Sequence, residues 1–314
     1  MKKVMLIVAA VILAVAMLPS PAMAIPWSIE KSVTSNTADL GDHITFTLSG
    51  AAWGVPAKVT DSWSSDLTYI PGTLNLTGVS VSSYYISDHY FVAYLNATGS
   101  FTITFDVQVT EVQATTTMAY DTARLYEWTG SAYSQVDSDT EAITLDPYEG
   151  FEKWMDAGNV EVPMYTDVYW ILGIYVENIA GDEIEDMEDI VVRDRLGGDL
   201  ELDDVLYVSD GSIGSGEIGK SGKFGPTGKT NKEHLAWTEI SDMEDDDWAE
   251  AYLLISTDIN TGTGNGKKSG QQEYTEAGSH DLNSGAVLKF TDPDTGLQLS
   301  AHTPPITVVA VEPI

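Results

Sequence analysis

The sequence predicts an all-β protein built from two tandem antiparallel β-sandwiches behind a signal peptide. Three observations in the 314-residue chain lead to this prediction. An export signal opens the chain, apolar and polar residues alternate over many short segments, and one phrase occurs twice in the same order. Repetition of this kind indicates two modules of one architecture.

Residues 1–24 have the composition of a secretory signal peptide. Lys2 and Lys3 precede an apolar run, and Ala22 and Ala24 form a small-x-small cleavage site. The alternative, an uncleaved anchor helix, would need a longer run. We therefore expect a secreted chain that starts near Ile25 and has no transmembrane anchor.

The net charge of −33 restricts the partners of the protein. Such a charge repels nucleic acid and anionic lipid, and it is compatible with divalent cations or a salty medium. The chain has no cysteine, although an exported protein could form disulfides. Any covalent staple in these modules must therefore use other side chains.

Residues 25–146 form the first predicted module. Residues 44–48 and 101–109 alternate between apolar and polar side chains, as half-buried strands do. Glycine, asparagine, aspartate and serine separate the runs. About 120 residues with this pattern indicate an immunoglobulin-like sandwich, and residues 146–150 form the predicted linker.

Residues 147–314 form the second predicted module, which is enlarged by long loop insertions at 211–232 and 260–270. Residues 214–221 match a phosphate-binding loop pattern. That pattern binds phosphate only where it opens a helix, and the glycines that follow disfavour a helix. We therefore expect mobile surface loops and no nucleotide site.

The duplicated phrase places chemically similar residues at matching points of the two modules. Each copy has a lysine in its first strand, an aspartate in a Val-x-Asp segment, and an aspartate or asparagine near its end. The members are Lys31, Asp61 and Asp121 in the first copy and Lys153, Asp194 and Asn283 in the second.

This pattern resembles the conserved surface-protein repeat domains of archaea and bacteria, which are related to the isopeptide-forming domains of Gram-positive pilins. The resemblance implies that a first-strand lysine bonds to a last-strand asparagine with help from a buried acid. Carried over by position, it implies a self-crosslink at Lys153, Asp194 and Asn283. In the first module it implies Lys31, Asp61 and Asp121, where aspartate replaces the usual asparagine.

A simpler interpretation stays open for the same residues. Lys31 and Lys153 would then be exposed lysines at strand edges, and Asp42 and Asp61 would be turn residues. The two interpretations differ in the burial of the lysine side chains.

Three further groups of residues are candidates for binding or modification. Calcium is a possible cofactor, and Asp245, Asp246 and Asp247 are its candidate ligands. Asn75 and Asn96 lie in glycosylation sequons. Several aromatic residues could stack on glycans, although we expect core packing to account for most of them: Trp53, Trp63, Tyr84, Tyr85 and Tyr90.

These observations predict a non-enzymatic structural or adhesive protein of the cell surface or of an extracellular filament. Its expected partners are other surface proteins, copies of itself, or glycans. The alternatives are a glycan- or calcium-binding extracellular module and a secreted hydrolase. A hydrolase would need a cleft with titratable groups of shifted pKa.

Overall fold

The computed structural model describes residues 27–54, 56–155, 161–163, 169–179, 184–196, 200–209, 217–220, 234–238, 240–257, 278–281 and 283–311. Every regular element in these ranges is a β-strand, which confirms the all-β prediction. None of the described segments is a helix long and apolar enough to cross a membrane. The predicted signal peptide lies outside the described residues, as do the insertion 260–270 and all of 211–232 except 217–220.

The strands of the first half are β1 (Ser28–Val33), β2 (Thr37–Ala38), β3 (His43–Ala52), β4 (Ala57–Trp63), β5 (Leu67–Tyr69), β6 (Asn75–Gly78), β7 (Val81–Ser87), β8 (Tyr90–Leu95), β9 (Gly99–Val109), β10 (Glu111–Val112), β11 (Thr117–Trp128) and β12 (Tyr133–Leu145). Those of the second half are β13 (Phe151–Met155), β14 (Glu161–Pro163), β15 (Tyr169–Glu177), β16 (Glu188–Leu196), β17 (Leu200–Ser209), β18 (Glu217–Lys220), β19 (His234–Thr238), β20 (Trp248–Thr257), β21 (Gly278–Asp281), β22 (Asn283–Thr291), β23 (Gln298–His302) and β24 (Thr307–Val311).

Two sheets face each other in the first half of the chain. One has the order β1-β3-β9-β5, with β6 also paired to β9, and the other has the order β2-β12-β11-β4-β8-β7. Rings from both sheets meet between them: the Phe105 centroid lies 6.0 Å from that of Phe91 and 5.1 Å from that of Trp63. The alternating residues of β3 and β9 supply this core because every second side chain of a strand points inward.

The second half repeats this strand order. Its sheet β13-β15-β20-β17 matches β1-β3-β9-β5, and β23-β22-β16-β19-β18 matches β12-β11-β4-β8-β7. The duplicated phrase predicts this agreement. A further sheet, β14-β24-β21, has no counterpart among the described strands of the first half.

The long strands pair antiparallel as expected, but three short pairs are parallel: β2 with β12, β10 with β23, and β14 with β24. The pair β10–β23 joins the two halves. In the first half β2 lies beside β12, and in the second half β10 takes the equivalent place beside β23. A segment of the first module therefore completes a sheet of the second.

A buried polar group reinforces this junction. Gln108 is 1% exposed, and its Nε2 donates to the carbonyl of Gly41 at 3.0 Å and to Oδ2 of Asp292 at 2.6 Å. Its Oε1 accepts a hydrogen bond of 2.7 Å from Oγ1 of Thr295. Gln108 thus has partners from both halves of the chain.

Core packing does not account for most of the five aromatic residues singled out in the sequence. Only Trp63 is buried, whereas Trp53, Tyr84, Tyr85 and Tyr90 are 39–60% exposed. Tyr84 and Tyr85 lie on β7, the last strand of its sheet, which has a neighbour, β8, on one side only.

Candidate functional site

Three ionisable side chains lie inside the first sandwich, and the alternation of their strands explains why. Lys31 has the same inward direction as Ile29 on β1. Asp121 follows the parity of Ala119 and Ala123 on β11, and Asp61 lies between Val59 and Trp63 on β4. The pattern that buries the apolar neighbours therefore buries the lysine and both carboxyl groups.

The lysine of one sheet contacts both acids of the other. Nζ of Lys31 lies 2.5 Å from Oδ2 of Asp61 and also contacts Oδ2 of Asp121. All three side chains have no exposed surface. Nζ also lies 4.2 Å from the ring centroid of Phe46 and 6.0 Å from that of Phe105, so the charges sit in an apolar surrounding.

Electrostatics distinguish Asp121 as a group that holds its proton. Burial, and then repulsion from Asp61, raise the pKa of Asp121 to about 9, and the attraction of Lys31 opposes this rise. Asp121 is therefore uncharged at pH 7. Neither of its oxygens has a hydrogen bond of ordinary geometry within the described residues, and such an exception in a buried group calls for an explanation.

Hydrogen bonds from backbone amides to two carboxylates hold β1, the strand of Lys31, in place. The amides of Ile29 and Lys31 donate to Oδ2 of Asp137 at 2.9 Å and to Oδ2 of Asp139 at 2.8 Å. Carboxylates of β12 thus occupy two donors of β1 that no strand of the described residues pairs with. The interpretation of Lys31 as an exposed edge lysine is wrong, because its side chain is buried.

The interpretation of Asp61 as a turn residue is also wrong, because Asp61 lies within β4. Asp42 does belong to a turn. Its Oδ2 accepts a hydrogen bond of 2.9 Å from the amide of Asp39 just before β3 begins.

The second sandwich contains a similar pair. Nζ of Lys153 lies 3.4 Å from Oδ1 of Asp194, and the two side chains are 0% and 1% exposed. Burial lowers the pKa of Lys153, and Asp194 opposes that change. Lys153, like Lys31, is not an exposed edge lysine.

A β-bulge brings Asn283 to the place that Asp121 holds in the first module. In the first module Asp61 is opposite Ala123, and Trp63, two residues on, is opposite Asp121. In the second, Asp194 is opposite Ala286, and Leu196 is opposite Asn283.

The second module has one more residue on β22 between these two pairs. Gly285 accommodates it with a φ of 93°, a value that favours glycine. The backbone of Asn283 is thereby equivalent in register to that of Asp121. The side chain of Asn283 lies outside the part of the chain that the structure describes.

The calcium candidates lie in a turn. Oδ2 of Asp247 accepts the amide of Glu244 at 3.0 Å, and Asp246 has a φ of 66°. Within the described residues, no group of three or more histidine or acidic side chains is arranged to hold a metal ion. The two sequon residues, Asn75 and Asn96, are both exposed.

A cavity of about 520 Å³ lies near the junction of the two modules. Its lining includes three carboxylates and is formed by Asp39, Asp146, Pro147, Tyr148, Glu149 and Ile179. Burial raises the pKa of Asp39, and repulsion from Asp42, Asp146 and Glu149 adds to the effect.

Sequence reasoning missed an aromatic surface on the first module. Lys58, Tyr94, Tyr126, Trp128 and Tyr133 form this aromatic face on neighbouring strands of one sheet. Nζ of Lys58 lies 4.1 Å from the ring centroid of Tyr126 and 5.1 Å from that of Tyr133. Trp128 and Tyr94 lie 5.1 Å and 5.9 Å from Tyr133. One signal for this surface was available in the sequence: the outward-facing positions of β11 contain no acidic residue.

No known family profile matches the chain, and no curated protein matches it. Among solved structures, the major pilin subunit BcpA of Bacillus cereus has 10% identity and a TM-score of 0.32, with 91% of this chain and 67% of that chain covered. The Enterococcus faecalis surface protein ACE has 12% identity and a TM-score of 0.29, with 91% and 96% covered.

A collagen-binding domain from a Staphylococcus aureus adhesin has 12% identity and a TM-score of 0.25, with 38% and 96% covered. These similarities are remote.

Proposed function

We propose that this protein is a structural component of a cell surface or extracellular filament, and that its first module is closed by an amide bond between Lys31 and Asp121. The observation that carries the proposal is the lysine amine buried between two carboxyl groups, across the two sheets of one sandwich. An unlinked buried charge cluster is costly to maintain, whereas a covalent tie removes two of its charges.

The protonation states suit acyl transfer. Asp121, with its pKa raised to about 9, provides a neutral carboxylic acid with an electrophilic carbon. The carboxylate of Asp61 accepts a proton from the Lys31 ammonium, and the free amine attacks Cγ of Asp121. The C–OH bond of Asp121 then breaks, and its hydroxyl leaves as water with a second proton from the amine. Asp61 ends protonated, and the net charge of the three groups stays at zero.

The apolar rings around the site protect the product. Phe46 and Phe105 lie against the amine and limit the access of water that would reverse the reaction. A loop of about 90 residues closed in this way stabilises the fold by roughly 4 to 5 kcal/mol in the entropic treatment of cross-links. Such a bond suits a protein that must resist unfolding outside the cell.

We propose the equivalent bond between Lys153 and Asn283 in the second module, with Asp194 as the proton carrier. Its support is the buried Lys153–Asp194 pair and the register of Asn283. Because asparagine carries an amide, this bond releases ammonia instead of water.

Intact mass of the folded, exported protein tests both bonds. We expect a loss of about 18 Da for the first bond and about 17 Da for the second, by the stoichiometry of amide formation. Lys31→Met and Asp61→Asn should each abolish the first loss, and Asp194→Asn should abolish the second. A folded wild-type protein whose mass equals that calculated for the mature sequence without cross-links would contradict the cross-links but not the surface location.

Surface location has its own measurement. Antibodies against the protein should label intact cells of its source, and brief protease treatment of those cells should remove the label. Labelling only after the cells are opened would contradict this part of the proposal.

Glycan binding is a second candidate function, favoured by the aromatic face. Tyrosine and tryptophan rings offer apolar surfaces with polar edges, which suits stacking on sugars. Trp128→Ala should weaken retention on an immobilised uncharged polysaccharide such as cellulose, whereas Trp53→Ala, at an exposed tryptophan elsewhere, should not. Equal retention of both variants would exclude the aromatic face as the binding surface.

A further inference from the structure

The edge strand β7 presents an open side. It is the last strand of its sheet, and within the described residues only β8 pairs with it. The backbone groups on the other side of such a strand are available to another strand. Tyr84 and Tyr85, at its centre, are 57% and 60% exposed.

This edge lacks the features that usually prevent strand pairing. The seven residues of β7 include no charged residue and no proline, and the irregularity in its register lies at one end, between Val81 and Ser83. By contrast, the outer amides of β1 are occupied by Asp137 and Asp139. The carboxylates thus cover the outer edge of β1, whereas no strand of the described residues covers the outer edge of β7.

The absence of charged residues on β7 makes this edge the place where a second copy of this chain can approach. Two molecules of charge −33 repel each other over most of their surfaces. Between residues 67 and 105 the only acidic residue is Asp88, and there is no lysine or arginine. Two copies can therefore approach along β7 with few carboxylates brought together.

The sequence of β7 also suits a symmetric contact. Tyr84 is its central residue. If two copies pair antiparallel about a two-fold axis, Tyr84 lies opposite Tyr84, and Ser83 lies opposite Tyr85. Small hydroxyl side chains then face tyrosine rings, and no like charges meet.

We propose that two copies of this protein associate through antiparallel pairing of their β7 strands, which joins their sheets into one. The inference concerns assembly and does not depend on the amide cross-links or on the surface location. A strand from a different protein is the competing occupant, and the experiment below separates the two.

Sedimentation velocity of the purified mature chain over a range of concentrations provides the test. We expect a reversible dimer in the wild type and at least a tenfold higher dissociation constant for Tyr84→Lys, since that change sets two ammonium groups opposite each other. Tyr120→Lys is the matched control, because Tyr120 is 59% exposed on the same sheet but lies on β11. It should dimerise as the wild type does.

Charge complementation makes the test specific to pairing across a two-fold axis. Tyr84→Glu alone should also be monomeric, and an equimolar mixture of Tyr84→Lys and Tyr84→Glu should recover the dimer. A wild type that stays monomeric, a Tyr84→Lys variant that dimerises normally, loss of the dimer in Tyr120→Lys, or a mixture that stays monomeric would each overturn the proposal. Retained melting temperatures show that the variants are folded.

Discussion

Gln108 and Asp292 are joined by a buried hydrogen bond of 2.6 Å, although 184 positions separate them in the chain. The bond lies beside the β10–β23 pair, where a strand from the first half completes a sheet of the second. The two modules therefore share backbone and side-chain interactions.

Removal of the Gln108 side chain should weaken this junction. Gln108→Ala removes one donor from Asp292, which is 4% exposed and keeps the hydroxyl of Thr295 as a donor to the same oxygen. The loss of such a hydrogen bond costs about 0.5–3 kcal/mol. We expect a lower melting temperature in calorimetry and a broader or divided transition. Gln135→Ala, at an exposed glutamine of β12, is the control, and equal transitions for the two variants would contradict the prediction.

Cross-link formation in the first module should depend on the proton of Asp121. The amine attacks a neutral carboxylic acid, so closure should slow as the pH rises through about 9, the pKa of Asp121. Protein that has never folded, recovered from inclusion bodies, can be diluted from denaturant at several pH values and followed by mass.

The second module supplies the internal control for that experiment. Asn283 has no acidic proton, and the amine of Lys153, whose pKa is lowered, is already more easily freed. The loss of ammonia should therefore not slow over the same pH range. A loss of water that is equally fast at pH 8 and pH 10 would contradict the role given to Asp121.

Asp39 should oppose folding at neutral pH. A carboxyl group whose pKa is higher in the folded state binds its proton more tightly there. Its contribution to stability is fully present below its ordinary value of 3.8 and is lost as the pH rises through the folded pKa. We expect Asp39→Asn to raise the melting temperature at pH 7, and the difference from wild type to shrink at acidic pH.

Asp88→Asn controls for the change in net charge, since Asp88 is exposed in the turn between β7 and β8. If Asp88→Asn raised the melting temperature as much as Asp39→Asn, general charge repulsion and not the cavity at the junction would explain the effect.

Gly285 should be required for the second cross-link. Alanine at this position would combine a φ of 93° with a Cβ only 2.3 Å from the carbonyl oxygen of Thr303. Strain of this kind costs of order 1–3 kcal/mol and would shift the bulge that sets the register of Asn283. We expect Gly285→Ala to lower stability and to abolish the loss of ammonia.

The variant Gly296→Ala is the control that has a positive φ without the steric clash. Gly296 also has a positive φ, of 68°, but an added Cβ would meet no atom within 4 Å. Gly296→Ala should therefore keep the ammonia loss. A Gly285→Ala protein that still loses ammonia would show that the bulge does not control the bond.

The sequence predicted that the two modules share one strand order, because the phrase is duplicated, and the family resemblance pointed to the ionisable residues of the first core. Lys31 and Asp121 share the parity of buried alanine and isoleucine neighbours, and the repeated phrase aligned them with Lys153 and Asn283. The pairing of β10 was not predictable, since two residues are too few to show an alternation. Gln108 likewise looks like any polar residue of β9, and its partner Asp292 comes from the other half of the chain.

Lys31 lies on the first strand of its module and Asp121 on the last but one, which has a mechanical consequence. Once the amide is closed, tension applied to the ends of the module passes from β1 through the bond into β11. The 89 residues between the two positions carry no load. At about 3.5 Å for each extended residue, roughly 300 Å of chain is withheld from stretching. Under a pulling force the module would then act as a short link of nearly fixed length.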